Sequence, residues 1–144
     1  MQDKQLHIIA LNIPYPANYG GAIDIFYKIK ELNELGVKIH LHCYKYGRSE
    51  AKELNHLCAS VHYYPRKRRT TDLFSKTPFI VKSRKTNLLL ENLIRIDAPI
   101  LFEGLHTCYY LNHPKLKDRK RFVRAHNIES EYYKALYQAE RKLK

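Results

Sequence analysis

Apolar positions along this chain alternate between two periods. Leu6 to Leu11 is a short, nearly continuous apolar run, the pattern of a buried strand. Ala22, Ile25, Phe26, Ile29, Leu32 and Leu35 then recur at helical spacing, and Gly36 follows as a stop. Val37–Tyr44 reads as a second strand, with Val37, Ile39, Leu41 and Cys43 on one face. Ser49 can cap a short helix running to Leu57, and Ser60–Tyr64 is a third strand closed by Pro65. Thr71–Lys76 suits a helical turn that ends near Pro78. Lys85–Ile96 predicts a second long helix, with Leu89, Leu90, Leu93 and Ile94 as its apolar stripe. Pro99–Phe102 is a fourth strand, a short helix surrounds His106–Leu111, and Arg121–Ala125 is a fifth strand. Asn127 can cap a last helix whose first turn carries Glu129 and Glu131, where negative charge is favoured.

This strand–helix alternation predicts a single α/β domain over residues 1–144. Its architecture is a Rossmann-like, doubly wound, mostly parallel sheet with helices on both faces. In such sheets ligands sit outside the carboxyl ends of the strands. The rule gathers the loops that begin near Asn12, Tyr44, Tyr64, Glu103 and Ala125 onto one edge. The helix expected from Tyr132 to Lys144 ends without a glycine or proline exit, a pattern shared equally by a natural end and by a chain that continues into further protein.

Charge narrows the partners. Lys and Arg number 26 against 14 acidic residues, a net charge of +12. Arg66-Lys67-Arg68-Arg69 is one basic run and Lys115 to Arg124 another. Such a balance suits an anionic partner: a nucleotide, a lipid headgroup or nucleic acid. Nucleic acid is disfavoured because no reading helix or RNA-binding motif is present. Taken alone the first run is best read as a solvated loop, yet Phe74 and Phe79 follow it, and basic residues beside apolar ones suit an anionic membrane surface. No apolar stretch approaches the roughly 20 residues of a membrane span. Three cysteines, Cys43, Cys58 and Cys108, lack metal-type spacing, and their odd number favours a reducing, cytoplasmic setting.

Three segments carry candidate chemistry. Pro14–Gly21 joins the first strand to the first helix, and Gly20-Gly21 at the helix mouth leaves backbone N–H groups open to an anion. The segment is neither GxGxxG nor a P-loop. A tight turn in which the glycines only relieve crowding is the plainer alternative. His126 closes the fifth strand on the ligand edge, where an imidazole can meet a sugar hydroxyl or a developing charge. Glu103 follows the fourth strand on the same edge and can bind an acceptor hydroxyl, or merely cap the next helix from solvent. His40-Leu41-His42-Cys43 looks like a metal cluster, yet alternate residues point to opposite faces and no further ligand pattern accompanies it. No Asp-x-Asp occurs, which argues against metal-bridged diphosphate chemistry.

Together, HIIALNIPYPANYGGAIDIFYKIKELNELGVKIHLHCY, ILFEGLHTCYYL and RFVRAHNIESEYYKAL resemble the N-terminal half of family 4 glycosyltransferases of the GT-B fold. Members of that family begin with an apolar strand, a Pro-x-Pro loop, a Gly-Gly pair and an amphipathic helix, and carry a His-Asn-x-Glu stretch after a late strand. The resemblance covers nearly the whole chain. It implies an acceptor-side domain that faces a C-terminal donor-binding domain, whose paired-glutamate signature this sequence lacks. It implies that Gly20 and Gly21 approach the donor diphosphate, and that His126 contacts the donor sugar near the reacting carbon as the catalytic histidine. Tyr15, Tyr19, Glu103 and His106 would border the acceptor pocket. The co-substrate would be a nucleotide-sugar, with no metal or other cofactor and with retention of anomeric configuration. The acceptor would be a glycan or lipid-linked molecule at the inner membrane face. The competing reading is a non-enzymatic module whose basic edge holds a nucleotide, lipid phosphate or nucleic acid. The sequence beyond Lys144 separates the two.

Overall fold

The computed structural model describes residues 3–126 together with 131, 134, 135 and 137–139. Among these described residues five strands form one sheet: β1 (Gln5–Ala10), β2 (Lys38–Lys45), β3 (Ser60–Pro65), β4 (Ile100–Glu103) and β5 (Arg121–Arg124). Their spatial order is β3-β2-β1-β4-β5, and every pairing is parallel. This is a Rossmann-like arrangement. The chain winds outward from β1 to β3, then returns to build β4 and β5 on the other side. The order therefore reverses between β1 and β4, and open sheets place ligands at such a reversal.

Period-2 alternation explains the two cores. Leu6, Ile8 and Ala10 of β1, Ile39, Leu41 and Cys43 of β2 and Val61 and Tyr63 of β3 face one side. There they meet Ile25 and Ile29 of helix α1 (Gly20–Glu34). Ile9, Tyr44, Tyr64, Ile100 and Phe102 face the other side, against Leu89 and Leu93 of α3 (Asn87–Arg95). A short helix α2 (Phe79–Lys82) precedes α3. The sequence pattern missed α2 because four residues cannot display a helical period.

Several boundaries differ from expectation. The segment after β2 is a 3-10 helix at Lys52–His56, entered from Ala51 rather than capped by Ser49. Further 3-10 turns occupy Thr70–Phe74, Leu105–Tyr110 and Pro114–Leu116. Leu35 does not join the core. It lies just past α1, largely exposed, where Gly36 takes a φ of 77° to turn the chain into β2. Ile94 is also exposed, so the buried stripe of α3 centres on Leu89 and Leu93. Asn127 and Glu129, expected to open a last helix, lie outside the described residues.

The α3 face also holds a polar seam. His40 and His42 do share a face, as the alternation requires, but they are joined by His7 from β1 and His62 from β3. His7 Nε2 lies 3.0 Å from the Ile96 carbonyl, so that nitrogen carries the proton. His7 Nδ1 must then accept, and His42 Nε2 donates to it across 3.0 Å. His42 Nδ1 accepts in turn from the Tyr64 hydroxyl at 2.8 Å, and Tyr64 accepts from the Asn92 amide at 2.9 Å. Every member is satisfied while the histidines stay neutral. Burial pulls His7 down to about 4, opposed by its bond to Ile96, and the neighbouring His40, which competes for the same proton charge, lowers it further. Burial first, then the neighbouring histidines, lowers His42 in the same direction.

Candidate functional site

At the β1/β4 reversal, the loops that leave the carboxyl ends of β1, β4 and β5 enclose a cleft of about 380 Å³. Leu11, Tyr19, Gly20, Gly21, Gly104, His106 and His126 line it. The structure thus brings together both glycines of the first loop and His126, two residues past the end of β5, although about a hundred residues of sequence separate them.

Local geometry shows why the glycines sit there. α1 begins at Gly20, directly at the cleft. A Cβ at Gly20 would meet no heavy atom within 4 Å, so crowding at the backbone does not require glycine at this position. A Cβ on Gly21 would lie 3.2 Å from the Tyr19 ring. No acidic side chain occupies the first turn of α1, and its N-cap residue Tyr19 makes no side-chain capping bond. The first N–H groups are consequently available to a ligand. Arg48, from the loop after β2, holds the preceding segment: it donates to Asn18 Oδ1 at 3.0 Å and to the Pro16 carbonyl, and its guanidinium lies 5.0 Å from the Tyr19 ring centre. Arg84 steadies the other end, donating to the carbonyl of Leu11 at 3.2 Å and to that of Ile80 at 2.7 Å. Burial, with Arg66 nearby, draws Arg84 down to about 10.

Gly104 turns the chain out of β4 at a φ of 85°, conformational space that suits glycine. A Cβ there would approach the rings of His126 and the side chain of Leu11 at 3.5 and 3.4 Å. These are ordinary contact distances, so the positive φ rather than crowding favours glycine here.

Beneath His126 lies a charge cluster that sequence reasoning did not assemble. Glu103 is fully buried. Its Oε1 takes Lys28 of α1, and its Oε2 faces His126 Nε2 at 3.1 Å, off the line of an ideal hydrogen bond. Lys28 also lies 3.6 Å from Asp24, which pairs with Arg124. Partial burial favours the neutral Asp24 carboxyl, but the Arg124 hydrogen bond and the Lys28 charge outweigh it and hold the group below its usual range. The expectation that Glu103 borders the acceptor pocket meets a carboxylate enclosed by α1 and His126 instead of presented to the cleft. The i,i+4 spacing of Asp24 and Lys28 was the only sequence signal for this cluster.

Asp24, Glu103 and His126 place ligand atoms within 4.8 Å of one another, a metal-capable grouping that the sequence alone did not reveal. Lys28 and Arg124 stand inside the same grouping. Two cations against two carboxylates already balance its charge, so the cluster has no electrostatic need of an ion.

The remaining expected residues separate. Tyr15 packs on Phe26, with ring centres 5.6 Å apart, and borders a different hollow with Pro16 and Arg48. The basic run divides. Arg66 and Arg68 lie over the Tyr46 ring at 4.7 and 5.8 Å, and Arg66 donates to Ser83 Oγ. Lys67 and Arg69 instead join Lys82 and Lys85 along a cleft of about 550 Å³. Leu73 and Phe74, in the 3-10 turn after Arg69, are strongly exposed. Among the described residues no helix is long and apolar enough to cross a membrane. The three cysteines are free.

The chain is similar to a protein of Klebsiella pneumoniae named "Uncharacterized 44.6 kDa protein in cps region". Identity is 30% over 140 residues, covering 92% of this chain and 36% of that protein. The chain therefore spans about a third of the length of that relative. No family model matches the sequence, and no solved structure matches it significantly.

Proposed function

We propose that this chain is the acceptor-side half of a family 4 glycosyltransferase of the GT-B type, which moves a sugar from a nucleotide-sugar to a glycan or lipid-linked acceptor in surface-polysaccharide synthesis. One observation carries the reading: Gly20, Gly21, Tyr19, His106 and His126 line a single cleft at the β1/β4 reversal. The relative's place in a cps region, a capsule polysaccharide region, supports the biosynthetic setting. Its greater length is in keeping with a two-domain enzyme whose second half holds the donor.

In this reading the α1 N-terminus faces the donor diphosphate. Its free N–H groups and helix dipole stabilise the charge that grows on the leaving group. His126 orients the donor sugar from the opposite wall, and Tyr19 and His106 border the space left for the acceptor. Lys67, Arg69, Lys82 and Lys85 line a cleft in which Asp72 pairs with Lys82, and the exposed Leu73 and Phe74 follow Arg69 in the chain; the excess of cations beside apolar side chains suits peripheral contact with an anionic membrane on the cytoplasmic side. The test is a transfer assay on the full-length protein with a panel of nucleotide-sugars and glycan or lipid-linked acceptors. Release of nucleoside diphosphate coupled to acceptor elongation is expected. Failure of every donor to react, while the protein remains folded, would overturn the reading.

A further inference from the structure

We infer that Lys28 and Glu103 are positioning residues that set the orientation and tautomer of His126. The inference rests on the transferase reading for its consequence, but its geometry stands apart from it.

Glu103 is the last residue of β4, and the alternation of that strand sends its side chain to the α1 face, on the side of Leu101. A carboxylate fully out of water is costly unless donors meet both oxygens. Lys28, on α1, meets Oε1. Oε2 has no aligned hydrogen bond, and neither has His126 Nε2, yet the two lie 3.1 Å apart with both atoms buried. Each is the group that answers the other's need. The lysine, as a donor that cannot accept, fixes which oxygen remains for the histidine. The carboxylate, an acceptor only, then requires the proton on Nε2. His126 Nδ1 is left as the nitrogen that accepts from a ligand hydroxyl in the cleft. Asp24 holds Lys28 from its other side, and Arg124 balances Asp24. The arrangement keeps the imidazole in one state before a substrate arrives.

Glu103→Gln reverses this logic. Lys28 claims the amide oxygen, so the amide NH2 turns toward His126 and demands an acceptor at Nε2. The nitrogen-15 resonances of the imidazole, recorded in the full-length protein, should therefore show the Nε2–H form in wild type and the Nδ1–H form in the variant. With a working donor and acceptor, kcat/KM should fall roughly 10- to 100-fold, by analogy with a metal-bound histidine that loses its carboxylate partner. The double variant K28M/E103M removes both charges together and leaves no uncompensated ion. It should fold, show a mixture of tautomers and lose activity to the same degree. A wild-type tautomer with wild-type kcat/KM in Glu103→Gln, or in the double variant should the single one not fold, would overturn the inference. Reversal of the tautomer in a protein that transfers no sugar from any donor would sink the transferase reading and leave the positioning role standing.

Discussion

Lowering the pH from about 7.5 to about 5 should cost the fold about 2 kcal/mol through His7 alone. His7 is fully buried on β1, with one nitrogen on the Ile96 carbonyl and the other accepting from His42. A second proton on His7 would oppose the N–H of His42, so the folded state resists protonation. Its pKa falls from the ordinary 6.5 to about 4. A histidine depressed in the folded state contributes stability that is complete above about 6.5 and is lost as pH falls toward about 4. The whole drop corresponds to about 3.4 kcal/mol at about 1.36 kcal/mol per pH unit. By about pH 5, the unfolded chain is almost fully protonated at this site and the folded chain hardly at all, which leaves a loss of about 2 kcal/mol. His42 is depressed as well and adds a loss of the same sign. The assay is urea unfolding at the two pH values, alongside titration of the imidazole resonances. A free energy that stays constant or rises on acidification, or a His7 ring that titrates at its ordinary 6.5, would refute the seam.

Three further outcomes follow from the geometry. Gly20→Val should leave the melting temperature nearly unchanged, because a Cβ at this position meets nothing within 4 Å, yet cut transfer roughly a hundredfold by obstructing the α1 mouth; wild-type turnover would remove the phosphate role. Arg48→Ala should release Pro16 and Asn18, costing about 1 to 2 kcal/mol and speeding amide exchange across the Pro14–Gly21 loop, and unchanged exchange there would contradict the clamp. Leu93→Ala should cost about 2 to 5 kcal/mol in denaturant unfolding by opening a cavity under α3, with a loss below about 1 kcal/mol arguing against the packing described.

Much of the fold was legible because burial imposes period 2 on strands and period 3.6 on helices. The alternation in β2 placed Ile39, Leu41 and Cys43 opposite His40 and His42, and the structure has them so. Sheet order was not legible, and with it went the histidine seam. His7 and His42 lie 35 positions apart and meet only because β2 pairs with β1. Glu103 misled for a related reason. A carboxylate at a strand end is usually solvated, and its burial depends on Lys28, which lies 75 positions earlier on a helix packed across the sheet. The basic run was visible as charge, but aromatic stacking on Tyr46 split it in a way that composition cannot express. The Gly20-Gly21 pair and His126 were each readable from their place at an element's end, and the β1/β4 reversal is what joins them.

The most direct test of the account is the initial rate of sugar transfer by full-length protein carrying His126→Ala, measured beside wild type at saturating nucleotide-sugar and acceptor. The cleft predicts a folded variant whose rate falls by roughly two orders of magnitude, because the sugar loses its oriented partner on the β5 side. Transfer at the wild-type rate would contradict it and return His126 to a structural role.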